Sequence, residues 1–169
     1  MKQRSDCGDT VQYDAGAVAW TWLSGRASAI PYTVLFVAAF ANATAERKRA
    51  PAVAPFELCY DSRELGSTRL GYAVPQVDLV MEGGGGNWTV FGGNSMVQVD
   101  DNTACFGFLE MKEGRYGHGG GEAPAVVIGG FQMENNLLVF DDEKGQLGFS
   151  GLLFGRQTTC SNFNFTLAA

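Results

Sequence analysis

The chain has 169 residues, of which 46% are apolar and 18% charged, with 23 glycines and a net charge of −6. That length suits one domain or two small lobes, and that composition excludes general disorder. The acidic balance leaves no dispersed basic surface for nucleic acid: the one basic cluster, Arg47-Lys48-Arg49, reads as a solvated loop or helix end.

Residues 1–29 carry no clear period. Lys2 and Arg4 precede a mildly apolar run, Ala15–Leu23, and a small-residue triplet, Ala27-Ser28-Ala29. Asp6, Asp9 and Asp14 interrupt this stretch, so it is not read as a convincing signal peptide. A helix is predicted over Pro31–Arg49, Ala-rich, with Leu35, Ala38, Ala39 and Ala43 on one face, stopped by Pro51 and Pro55. The longest apolar stretch, Tyr32–Ala43, is too short to span a bilayer, so no membrane partner is expected.

From Pro55 the pattern turns to strands. Phe56–Tyr60 is short and apolar, and Val77, Leu79 and Met81 alternate in the manner of a half-buried strand. Trp88–Phe91 and Met96–Val99 follow, split by Gly92-Gly93-Asn94, and then Ala104–Met111. Glu113–Glu122 is a Gly-rich loop, and Ala125–Ile128 is a fully apolar run that ends on Gly129-Gly130. Leu137–Phe140 and Gln146–Phe149 flank Asp141–Gly145 as a hairpin.

The four cysteines, Cys7, Cys59, Cys105 and Cys160, form no C-x-x-C pair, and the single histidine, His118, lies far from all of them. A zinc site is therefore not expected, and no cofactor is implied. Wide spacing and an even count are compatible with disulfides and an oxidising compartment.

Val126-Val127-Ile128-Gly129-Gly130, then Asn135–Phe140, then Leu147-Gly148-Phe149 resemble the C-terminal lobe of pepsin-like aspartic proteases. Pro31–Leu35, Val53–Tyr60, Gly71–Pro75, Asn94–Val97 and the tail Phe154–Thr166 narrow this further. They resemble the TAXI-type xylanase inhibitors of plants, and equally the basic 7S globulins and xyloglucan-specific glucanase inhibitors. The likeness covers residues 30–167, expected as one domain after an unplaced segment, 1–29. It implies a mainly β fold, the C-terminal lobe of the pepsin-like architecture with one or two short helices. An N-terminal pepsin-like lobe would be a missing partner.

A pepsin-like catalyst needs two carboxylates sharing one proton, each on an Asp-Thr-Gly or Asp-Ser-Gly loop. No such triplet occurs, and the position where the resemblance would put the aspartate, near Ala27, holds no acid. Asp61-Ser62 is followed by Arg63, and Asp100-Asp101 and Asp141-Asp142 read as loop and turn aspartates. A triad built on His118 would stand on a glycine loop. No catalytic residue is therefore expected.

The resemblance implies a plant defence protein that plugs the cleft of a glycoside hydrolase, in the extracellular space or apoplast. Such clefts carry a pair of acidic residues. In the xylanase inhibitors the loop after Gly-Phe-Ser carries a central histidine; here that loop, Gly151–Cys160, has none, and Phe154 stands nearest its place. In the glucanase-inhibitor branch an arginine is implicated there, which makes Arg156 the leading candidate, flanked by Phe154 and Gln157. Tyr32 and Leu35 belong to a second, weaker contact segment. The resemblance also pairs Cys59 with Cys105 and leaves Cys160 to a cysteine absent here, with Cys7 as a substitute or both thiols free. Three sequons, at Asn42, Asn87 and Asn164, would make a secreted form a glycoprotein.

Overall fold

The computed structural model describes residues 3–7, 19–21, 32–80, 87–109 and 126–162. The first described element after the amino-terminal strands is helix α1 (Tyr32–Ala43). Its inward stripe is half-buried Phe36 and buried Phe40, continued by buried Thr44 just past the helix end, whereas Ala38, Ala39 and Ala43 are exposed. The alanine face expected from periodicity thus points outward. A phenyl ring removes far more apolar area from water than a methyl group does, so the two phenylalanines set the helix rotation.

The helix also stops earlier than Arg49. The Thr44 hydroxyl donates to Phe40 O at 2.7 Å and meets the Tyr60 hydroxyl, which turns the chain. Residues Arg49–Ala50 then form strand β3 against β4 (Cys59–Asp61). The Arg49 guanidinium reaches back to Ala41 O at 2.9 Å and lies 4.8 Å over the Tyr60 ring. Thr33-Val34-Leu35, from the Pro31–Leu35 segment, lies in the first turn of α1 and runs straight into Phe36.

Strands β9 (Met96–Asp100) and β10 (Thr103–Phe106) complete a four-stranded sheet of order β3-β4-β10-β9. Cys59 and Cys105 face each other across β4 and β10 and are disulfide-bonded, Cα to Cα 4.0 Å. The expected strand Phe56–Tyr60 is displaced towards its C-terminal end. The expected run Ala104–Met111 breaks at Gly107, after which β11 (Phe108–Leu109) joins another sheet. A side chain at Gly107 would meet Val97 at 3.1 Å and Ser95 O at 3.3 Å.

Residues 1–29, for which the sequence offers no placement, supply two strands. β1 (Gln3–Cys7) pairs antiparallel with β13 (Leu137–Asp141), with Cys7 opposite Leu137. β2 (Ala19–Thr21) lies between β11, parallel, and β12 (Val126–Val127), antiparallel. β13 and β14 (Gln146–Phe149) form the expected hairpin, Phe140 opposite Leu147. β5 (Ser67–Thr68) with β6 (Gly71–Tyr72), and β7 (Val77–Val80) with β8 (Asn87–Val90), are two-stranded units. Two single-turn helices, α2 (Gly92–Ser95) and α3 (Gly130–Met133), complete a mainly β lobe with three short helices.

The core gathers Phe40, Tyr60, Leu65, Trp88, Val90, Phe106 and Phe108. Phe106 is its hub: it stacks on Phe40 at 3.9 Å between centroids and contacts Phe36 and Phe108 at 5.6 and 4.9 Å. Phe106→Ala is expected to lower the unfolding free energy by about 3–5 kcal/mol, from lost transfer energy plus the cavity. Urea titration monitored by circular dichroism measures it; a change under about 1 kcal/mol would mean that the site collapses around the smaller side chain.

Candidate functional site

Hairpin β13–β14 delivers the chain to the loop that the sequence singled out. The turn out of the hairpin is fixed by Ser150: its N–H donates to Leu137 O at 2.9 Å, and its hydroxyl accepts from Leu137 N at 2.8 Å. Leu152 and Leu153 are buried and anchor a 3₁₀ turn, Leu153–Arg156. The Leu153 N–H donates to Asn135 O at 2.8 Å, and Thr158 N–H returns to Leu153 O at 3.2 Å. Gln157 closes the turn in the left-handed region, φ 59°. Two apolar residues thus hold the base while Gly155, Arg156 and Gln157 are exposed at its tip and Phe154 is half-buried. Phe154, Arg156 and Gln157 share this one turn. Cys160, just beyond it, is itself disulfide-bonded, which removes the free-thiol alternative for that residue.

A second segment lies beside the turn. In the tip of the β5–β6 hairpin, Thr68 accepts from Leu70 N–H at 3.1 Å and donates to Gly71 O at 2.9 Å, so that Arg69 stands exposed at the apex. Leu70 from this tip lines a groove of about 390 Å³ with Phe91, Leu152, Leu153 and Arg156. Arg69 lines a second concavity, of about 500 Å³, with Phe154, Gln157 and Thr159. Neither lining contains a carboxylate. Arg69 is the residue that sequence reasoning missed. It sits two positions before the Gly71–Pro75 motif, and no local pattern ties it to a loop more than 80 residues later.

Internal ion pairs and hydrogen bonds set these two arginines apart. Lys48 and Arg63 are bound to Asp61, Lys144 to Asp141, Arg47 to Glu64 O, and Arg49 to Ala41 O. Among the described side chains, Arg69 and Arg156 are the cations with no internal hydrogen bond or ion pair.

The carboxylates, by contrast, serve the scaffold. Asp61 is buried at the end of β4 and accepts from Arg63 Nε and Nη2 at 2.9 and 2.8 Å and from Lys48 Nζ at 3.0 Å. The Arg63 guanidinium, then the Lys48 ammonium, hold its carboxyl well below the usual range. It is therefore a poor proton donor. Asp100 accepts from Asn102 N–H at 2.8 Å, a bond that lowers its pKa, and Asp141 accepts from Lys144 N–H. Both aspartates brace turns. A depressed carboxylate stabilises the fold above its unfolded pKa, about 3.9, and that stabilisation is lost as the pH falls below it. Asp61→Asn should lower the melting temperature at pH 7, and the gap to wild type should narrow as the pH is taken from about 5 to about 2. A gap that does not change with pH would assign the loss to packing instead.

No set of three His, Cys, Asp or Glu side chains among the described residues could hold a metal ion. Asn42, late in α1, and Asn87, opening β8, are exposed. Asn164 and His118 lie outside the described residues. Tyr32 and Leu35 sit in the first turn of α1, with only their backbone described, and the described part of that helix packs Phe36 and Phe40 into the core.

A family model described as "Xylanase inhibitor C-terminal" matches residues 31–151. The chain is similar to Chitinase CLP of Oryza sativa subsp. japonica, 68% identical over 151 residues, covering 83% of this chain and 35% of that protein. It is 43% identical to Probable aspartic proteinase GIP2 of Nicotiana benthamiana, over 82% of this chain and 32% of that one. Among solved structures, EDGP superposes with a TM-score of 0.67 at 37% identity, over 87% of this chain and 33% of that chain. Conglutin gamma, a basic 7S globulin from lupine seeds, superposes with a TM-score of 0.63 at 32% identity, over 86% and 33%. The chain spans about a third of the length of these relatives. Its fold is that of their pepsin-like lobe, and the chain belongs to the xylanase-inhibitor C-terminal family.

Proposed function

We propose that this protein is a non-catalytic binder that inhibits a glycoside hydrolase by presenting Arg156 and Arg69 to the acidic pair in its cleft. The observation that carries this reading is the pairing pattern: on a chain of net charge −6, of the two described cations without internal partners one stands on the exposed 3₁₀ turn and the other lines a concavity with that turn's Phe154 and Gln157. Hydrolase clefts hold two carboxyl groups about 5–9.5 Å apart. A guanidinium binds a carboxylate through two parallel N–H donors and undergoes no chemistry. Phe154 and the apolar groove beside Leu70 supply the surface that would exclude water around those pairs. The absence of an Asp-Thr-Gly or Asp-Ser-Gly triplet supports the non-catalytic half of the reading. Disulfides and exposed sequons at Asn42 and Asn87 fit a secreted glycoprotein.

Titration of a xylanase and of a xyloglucan-specific endoglucanase with the purified protein tests it. Saturable loss of hydrolase activity is expected for one of them; full activity of both at excess protein would refute it.

The 68% identity to a protein named a chitinase favours a second reading, hydrolysis of chitin oligosaccharides. It requires a carboxylic acid able to give up a proton near neutrality. Of the aspartates considered above, Asp61 and Asp100 are shifted the other way. Release of reducing ends from chitin oligosaccharides by the protein alone would establish it over inhibition.

A further inference from the structure

Arg69 and Arg156 belong to segments far apart in sequence, yet hydrogen bonds and adjoining residues link their neighbours Leu70 and Leu153. The path starts where the β5–β6 tip crosses α2. Gly93 N–H donates to Leu70 O at 2.8 Å, and backbones meet so closely that a Cβ on Gly71 would fall 2.0 Å from Gly93 N. Gly71 also has φ +97°, a conformation that favours glycine. The next residue, Asn94, is 3% exposed, and its amide donates to Phe131 O at 2.9 Å and to Glu134 O at 3.0 Å. Those carbonyls belong to α3 and the residue that ends it. Asn135 follows directly; it receives Leu153 N–H on its carbonyl, and Cys160 N–H on its side chain at 3.4 Å. Leu153 begins the turn that carries Arg156.

We propose that Asn94 is a positioning residue that sets the placement of Arg69 relative to Arg156, so that both meet the acidic pair of one hydrolase cleft at once. This inference rests on the inhibitory reading above. Its physical basis is preorganisation: two guanidiniums held in register by a buried amide lose little freedom on binding, whereas an unlinked tip would have to be ordered at the moment of contact. The side-chain amide suits the role because it supplies two donors to two partly buried carbonyls, and neither alanine nor aspartate does so.

The test compares inhibition of a xyloglucan-specific endoglucanase by wild type, N94A, R69A, R156A and the N94A/R69A double variant. N94A is expected to raise Ki about tenfold in the wild-type background and less than about twofold in the R69A background, because Asn94 then has no second guanidinium to place. Equal factors in both backgrounds would overturn the proposal, since loss of folded protein lowers the active fraction regardless of residue 69. An unchanged Ki for N94A would overturn it as well. If N94A does not melt cooperatively, G93A replaces it: its added methyl group would meet Leu70 O at 3.1 Å and shift the same tip by a few tenths of an ångström. R156A separates the two levels. An unchanged Ki for R156A removes the inhibitory reading, and this inference with it; a raised Ki for R156A with no effect of N94A and G93A removes only this inference.

Discussion

Arg156→Ala is expected to raise the Ki for the target hydrolase by about thirtyfold to several thousandfold. Removing one member of a desolvated, hydrogen-bonded charge pair costs about 2–5 kcal/mol, much of it from the carboxylate left without a partner. The Arg156 side chain has no internal partner among the described residues, so its loss should leave the melting temperature within a degree or two. That combination, a large change in Ki with an unchanged melt, distinguishes a contact residue from a structural one. Arg156→Lys retains the charge and loses the fork geometry; it should fall between wild type and alanine. Arg156→Glu places like charges together and should abolish inhibition. A melt that falls in step with Ki across the series would contradict the assignment. Arg69→Ala should act in the same direction with a smaller effect, because Arg69 stands on a hairpin tip while Arg156 stands on a turn anchored by two buried leucines.

The second large effect concerns the disulfide between β4 and β10. Cys59 and Cys105 are 46 residues apart in sequence, and on the chain-entropy model closing a loop of that size stabilises by about 4 kcal/mol. Small domains have about 5–15 kcal/mol in all. The double variant Cys59→Ala/Cys105→Ala should therefore lose a large share of its stability, read as a fall in the urea midpoint, and reduction of the wild type, which also opens the Cys160 disulfide, should lower the midpoint at least as far. Both cysteines are buried in the strand pair that backs Tyr60 and Phe106, so the vacated volume adds a cavity cost to the entropic one. A double variant within about 1 kcal/mol of wild type would show that β4 and β10 are held by their ladder and core contacts alone.

These two effects fall on parts of the molecule that differ in how far they could be read in advance. Alternation at Val77–Val80 and the turn residues of Asp141–Gly145 announced β7 and the β13–β14 hairpin, because strand period and tight-turn chemistry are local properties. The absence of a catalytic aspartate motif is likewise a property of the residues themselves, and the resemblance in the loop after Phe149 drew attention to Arg156. The sequence by itself thus determined the mainly β character and the strand-rich second half.

The rest required distant residues to meet. The end of α1 depends on Thr44 reaching Phe40 O and the Tyr60 hydroxyl, and its rotation depends on Phe36 and Phe40 finding Phe106. Strand β2 has three residues and no period to detect; it exists because β11 and β12 bond to its two edges. The basic residues look alike as a sequence, yet tertiary contacts pair three of the described cations with carboxylates, bond two more to backbone carbonyls, and leave Arg69 and Arg156 without either. Electrostatic pairing and backbone crossing are relations between segments far apart along the chain, so only folding decides them. The loop that carries Arg156 was singled out from the sequence; Arg69, and the hydrogen bonds of Asn94 to Phe131 O and Glu134 O, were not.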